Sequence, residues 1–241
     1  MIPFATLVRA ELRKTVDVRA ARWMLFATAL LAAGAEAVPL VFPHNVTQDR
    51  ASYLTWAALG VSRLLPLVLL MAMTAEWSQR TAMTTFTLEP RRGRVLTAKV
   101  LAGLTISVIA GLFAFAVATV AVLAASRLVT GGVTDGWDWS QLAGFALFIV
   151  LTSAVGMAIG AALHNTAAAI VSYFVLAGLF SLLMIPALQK AGDWVNTGTT
   201  FGWVLAGDWS GHGAQIAVCA ALWIALPLAV GTFRTIRREV H

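Results

Sequence analysis

Residues 100–126 read VLAGLTISVIAGLFAFAVATVAVLAAS, a run without one charged side chain. A helix needs about 20 mostly apolar residues to cross the hydrocarbon core of a bilayer. This run is longer than that, so its helix must tilt or protrude. Working outward, five further stretches meet the same test: Trp23–Pro43, Tyr53–Ala75, Gln141–Leu163, Thr166–Ala187 and Ala214–Phe233. Only His164 and Asn165 separate the fourth and fifth spans, which predicts a tight helical hairpin. Thr199–Ala206 is apolar but too short to span. Within the segment 188–213 it reads as an interfacial or re-entrant piece. The expected fold is an all-α polytopic membrane protein, one domain over residues 1–241 with six transmembrane helices.

Composition agrees with this. Hydrophobic residues make up 59% of the chain and charged ones 12%, against about a quarter charged in an ordinary soluble domain. Lys and Arg are retained on the cytoplasmic side of a membrane. Three clusters fall on one side of the predicted topology. They are Arg9, Arg13, Lys14, Arg19 and Arg22; then Arg80, Arg91, Arg92, Arg94 and Lys99; then Arg234, Arg237 and Arg238. The opposite side has Arg50, Arg127 and Lys190. Both termini are therefore expected in the cytoplasm. The net charge of +6 reads as topology rather than a nucleic-acid footprint. The excess of Arg over Lys and the abundant Ala point to a bacterial source, hence the inner membrane. The first apolar run is long for a cleaved leader and reads as a span. The single cysteine, Cys219, lies inside an apolar run and reads as a small core residue. Tryptophans gather near span ends, where amphipathic rings prefer the headgroup zone; Trp223 is the mid-span exception.

Residues 3–17 form an amphipathic pattern. Phe4, Leu7, Val8, Leu12 and Val16 share one helical face, and Arg9, Arg13 and Lys14 another. This predicts an interfacial helix with its basic side toward anionic headgroups.

The loop 76–99 is the most informative segment. Glu76 ends the second span. Ala82, Met83 and Phe86 then fall at helical spacing, and Pro90 and Gly93 break the pattern before Lys99 and the third span. A short amphipathic helix with an apolar knob is expected here. The run Glu76, Arg80-Thr81, Leu88, Pro90, Arg91-Arg92, Arg94 and Lys99 resembles the cytoplasmic loop of ABC-2-type transporter permeases. Arg80 stands where that family commonly has Gly, and Leu88-Glu89-Pro90 is one residue tighter. The resemblance implies a permease subunit of an ATP-driven exporter. Residues 3–17 would be its elbow helix and 76–99 its coupling loop, with Glu76, Arg80, Thr81, Met83, Phe86, Arg91, Arg92 and Arg94 docking a cytoplasmic ATPase. It also implies a second permease subunit, identical or related, and ATP and Mg held by the partner ATPase rather than by this chain. No Gly-x-x-x-x-Gly-Lys-[Ser/Thr] occurs in the sequence.

One acid and one base lie inside the membrane. Glu36 and Arg63 fall at similar predicted depth on adjacent antiparallel spans, and such groups are usually paired or face a cavity; an ion pair is expected. Gly156 and Gly160 form a GxxxG face suited to close helix packing. The four histidines show no ligand spacing, no nucleophile elbow appears, and no enzyme is expected. The alternatives are a membrane anchor that recruits a soluble partner through the same loop, and a membrane-embedded lipid-modifying enzyme.

Overall fold

The computed structural model describes residues 3–79, 81–129, 132, 133, 136, 138–181 and 189–237. Among these residues all regular structure is helical apart from one isolated bridge residue. Helix α1 (Phe4–Asp17) leads through the extended Val18 into α2 (Arg19–Ala35). A break at Glu36 separates α2 from α3 (Ala37–Val41). Then come α4 (Arg50–Ser78), the short α5 (Ala82–Leu88) and α6 (Arg92–Leu128). α7 (Trp139–Leu163) and α8 (Thr166–Ser181) follow, then two short helices, α9 (Gln189–Val195) and α10 (Thr197–Ala206). The last long rod consists of α11 (Gly213–Ala220), a π-helical turn at Ala221–Ala225 and α12 (Leu226–Arg237).

Five rods are long and apolar enough to cross a membrane: Arg19–Val41, Arg50–Ser78, Arg92–Leu128, Trp139–Leu163 and Gly213–Arg237. The chain is a multi-pass membrane protein. The expected span Thr166–Ala187 is described only as α8, to Ser181; its remaining residues lie outside the described residues.

Local chemistry sets the ends of these rods. Asp49 caps α4, its side chain accepting from Ser52 N at 2.7 Å. Asp138 caps α7 through Ser140 N and Ser140 Oγ; these bonds hold its carboxyl below the usual range. A short polar side chain at this position satisfies an otherwise orphaned helix N–H. α7 stops because His164 takes a left-handed conformation, φ 51°. Asn165 then starts α8 by accepting from Ala168 N at 3.0 Å. The expected hairpin at His164-Asn165 is therefore present.

α4 is the central helix, packed against α2, α6 and α7. Small residues make these contacts possible, since lipid gives helices little hydrophobic reason to associate. A Cβ on Gly156 would lie 2.1 Å from the Pro66 carbonyl oxygen, and one on Gly160 would lie 2.7 Å from that of Leu70. The GxxxG face thus packs on α4 within the subunit. Gly60 meets the Ala32 backbone in the same way, a Cβ there lying 2.6 Å from Ala32 Cα.

Three features differ from expectation. α6 starts at Arg92, so Arg92, Arg94 and Lys99 stand on a helix rather than in a loop. Its 37 residues span roughly 55 Å, well beyond the hydrocarbon core. On α1 the bundle-facing stripe is Leu7, Glu11 and Thr15, and Leu7 packs on Val95 and Ala98 of α6. The expected apolar face is divided, with Phe4 and Val16 exposed. Third, the mid-span Trp223 donates from its indole N–H to the Val195 carbonyl at 2.7 Å. Gly213 to Trp223 is roughly 15 Å of helix, so the corner between α9 and α10 reaches well down the bundle. α10 packs there on α7, where a Cβ on Gly144 would lie 2.1 Å from the Val204 carbonyl oxygen.

Candidate functional site: a buried charge cluster beside the basic loop

Four charged side chains meet where α1, α4 and α6 come together. Glu11 comes from α1, where it is one helical turn from both Leu7 and Thr15 and so points inward with them. Glu76 is near the end of α4 and Lys99 is two turns into α6. Lys14 Nζ donates to Glu11 Oε1 at 2.7 Å and to Glu76 Oε1 at 3.0 Å. Lys99 Nζ donates to Glu11 Oε2 at 2.6 Å and lies 3.4 Å from Glu76 Oε1. Thr85 Oγ1 of the short α5 donates to the same Glu76 oxygen at 3.0 Å. The Thr81 amide donates to the Glu76 carbonyl at 2.9 Å.

Both carboxylates are buried, and the Lys99 side chain is 9% exposed. Burying ions is costly unless each is paired and hydrogen-bonded, and this cluster meets both conditions with no net charge. Lys14 is half exposed. Its partial burial works against the charged form, but the hydrogen bond and charge of Glu11, with the charge of Glu76, outweigh that and raise its pKa. The cluster therefore acts as a clamp of α1, α4 and α6, with α5 tied to it by one hydroxyl.

Two further ties bring other elements to the same end. Glu89, buried just after α5, accepts from Arg94 Nη1 at 3.0 Å. Arg92 Nη1 donates to the Thr235 carbonyl of α12 at 3.0 Å, and the Thr235 hydroxyl lies 2.9 Å from His164 Nε2. The His164 ring packs against Trp77 of α4, centroids 4.5 Å apart. A crevice of about 1060 Å³ opens beside the cluster, between α1, the end of α4, α5 and the start of α8. Leu7, Val68, Met71 and Ala75 provide apolar wall, and the charged lining includes Arg9, Arg13, Lys14, Lys99, Glu11 and Glu76.

No family model matches the chain, and no curated protein matches it. The reading of this site therefore rests on its residues.

Of the expected docking residues, Glu76 is at the centre of the cluster. Thr81 and Met83 lie on or beside α5, and Met83 is half exposed. Arg91 is exposed at the start of α6, while Arg92 and Arg94 are tied inward as described. Arg80 lies outside the described residues, as does the side chain of Phe86. Glu11 was not singled out in the sequence, nor were Lys14 and Glu89 given inward roles. The available signal was Glu11 itself, an acid in the middle of a basic helix, spaced by four from Leu7 and from Thr15.

The expected Glu36–Arg63 pair is not formed. Neither Glu36 oxygen has a hydrogen-bond partner, and Arg63 is exposed. The reason is register. The Ala32–Gly60 contact between these antiparallel helices sets Glu36 level with the Ala57 region and Arg63 about seven residues, roughly 10 Å, farther along. Counting from the expected span ends set the two groups at similar depth, but α4 begins at Arg50 and not at Tyr53, which puts Arg63 deeper.

Proposed function

We propose that this chain is the six-span permease subunit of an ATP-driven exporter of the bacterial inner membrane, with both ends in the cytoplasm. Two subunits, identical or related, pair, and each docks a cytoplasmic ATPase through α1 and the loop that holds α5. ATP and Mg belong to that partner. The observation that carries the reading is Glu76 Oε1, which at once accepts from Thr85 of α5 and from Lys14 of α1 and faces Lys99 of α6. A push on α5 at Met83 is thereby delivered to three helices. The apolar-walled crevice beside the cluster provides room for that displacement.

The test is affinity capture of the tagged full-length protein from its native membranes, with and without Met83→Glu and Phe86→Glu. A P-loop ATPase is expected with the wild-type chain and lost with the variants, while membrane insertion persists. No ATPase in mild detergent, even after cross-linking, refutes the reading. Thr85→Val separates docking from transmission. The ATPase is expected to be captured still, but substrate-stimulated hydrolysis falls; unchanged stimulation refutes the role given to Glu76.

A further inference from the structure

Glu36 occupies the break between α2 and α3, five residues or roughly 8 Å inside the end of its span. It is 3% exposed, and neither carboxyl oxygen makes a hydrogen bond. The seam around it is tight, because Ala32 one turn away packs backbone to backbone on Gly60.

The elements packed on Glu36 bring no cation. α4 presents the Ala57 backbone and Tyr53. The Tyr53 hydroxyl is committed elsewhere, donating to Gln48 Oε1 at 2.7 Å. The Gln48 amide in turn is occupied by the carbonyls of Pro39, Pro43 and Val46. α3 has no titratable residue, and α6 has none between Lys99 and Arg127. Arg63 is deeper and exposed, and Arg50 opens α4 about two turns before Ala57. An ionised carboxylate here would have no counterion, with only the Ala57 backbone beside it, in a place water does not reach. Such a charge is not sustained in a buried membrane site.

We propose that Glu36 is a proton-binding site of the membrane region: the closed α2–α4 seam holds it as the neutral carboxylic acid, and parting of the seam to water releases the proton. α2 is suited to part. It packs mainly on α4, and its other face exposes Trp23, Phe26 and Leu30. The inference does not rest on the transport reading and survives if no ATPase binds.

A neutral buried acid has a specific chemical signature. Its O–H adds across one C=N bond of a carbodiimide, giving an O-acylisourea. The acyl group then moves from oxygen to nitrogen to give a stable N-acylurea. All atoms of both reactants are kept and no oxidant is needed, but the carboxyl must start protonated.

The experiment treats the full-length chain in phosphatidylcholine vesicles at pH 7 with dicyclohexylcarbodiimide, or with a water-soluble carbodiimide, and maps adducts by peptide mass spectrometry. An ordinary glutamate, near 4.3, is protonated to roughly 0.2% at that pH. Glu36 should therefore be labelled by the apolar reagent on the order of a hundredfold more than the exposed Asp17. The water-soluble reagent should leave it unlabelled. Glu36→Gln, neutral and of the same shape, should abolish the adduct and remove one protonated-carboxyl band from the infrared spectrum without shifting the thermal midpoint. Three results overturn the proposal: no adduct at Glu36 and no change in that band; equal labelling by both reagents, which makes the seam wet; or a Glu36→Gln variant destabilised as if a buried ion pair had been cut.

Discussion

Replacing Lys99 by Gln removes one of two cations facing two buried carboxylates. Glu11 loses its 2.6 Å partner at Oε2, and Glu76 keeps Lys14 and Thr85. The site then has an excess negative charge at residues that are at most 5% exposed. Breaking a buried pair in this way costs about 3–5 kcal/mol. For a chain of this length each kcal/mol moves the thermal midpoint by about 2–4 °C, so a fall on the order of 6–20 °C follows from the same estimates. Lys14→Gln is the internal control. Its side chain is 49% exposed, so water replaces much of what is lost and the cost is about 1 kcal/mol or less.

Glu11→Gln combined with Lys99→Gln should be milder than the sum of the single changes. The double variant leaves the neutral Lys14–Glu76 pair intact, and coupled neighbours of this kind depart from additivity by about 0.5–3 kcal/mol. The chain provides its own probe. Cys219 is its only cysteine and is fully buried, so a maleimide dye that fluoresces on reaction with a thiol reports unfolding in detergent or lipid without added labels. The clamp is refuted if Lys99→Gln shifts the midpoint no more than Lys14→Gln does, or if the two changes simply add.

The same thiol assay checks two further expectations, and helical circular dichroism on heating checks a third that extends to alkaline pH. Gly156→Ala forces a Cβ against the Pro66 carbonyl, a backbone group that cannot swing aside. A loss of about 1–3 kcal/mol is expected, whereas Gly34→Ala, with open space around it, should leave the midpoint unchanged or slightly higher. Trp223→Phe deprives the Val195 carbonyl of its indole donor; about 1 kcal/mol is lost, and native-state labelling of Cys219, one turn away, accelerates. Because the pKa of Lys14 is raised in the folded protein, its contribution is fully present below the ordinary value of about 10.4 and disappears as pH rises through the folded value. The midpoint difference between wild type and Lys14→Gln should thus stay constant from pH 7 to about 9 and shrink only above pH 10.5 or so; a difference that shrinks already near neutrality contradicts the direction of the shift.

Much of the fold is legible in the sequence because lipid imposes a simple rule. A backbone in hydrocarbon must satisfy its own hydrogen bonds, so long apolar runs become helices wherever they occur. The runs at 53–75, 100–126, 141–163 and 214–233 lie in long apolar rods and 23–43 overruns its rod by two residues, and His164-Asn165 marks its turn through a left-handed residue and an Asn cap. Gly156 and Gly160 could be recognised as a packing face for the same reason, since a missing Cβ is a local property.

What the sequence could not supply was which side chains meet. The rotation and register of one helix against another depend on contacts such as Ala32 on Gly60, made between residues far apart in the chain. That register separates Glu36 from Arg63, which span-end counting had set side by side. It also brings Glu11, from a helix whose pattern suggested only an apolar and a basic face, onto Lys99, 88 residues away. The sequence by itself determined the membrane-spanning class and the basic end of the bundle, because these follow from hydropathy and charge summed along single segments. Only the tertiary structure decided that one carboxylate cluster is neutralised and another carboxyl is left alone, because compensation of a buried charge depends on distances of a few ångströms between separate helices.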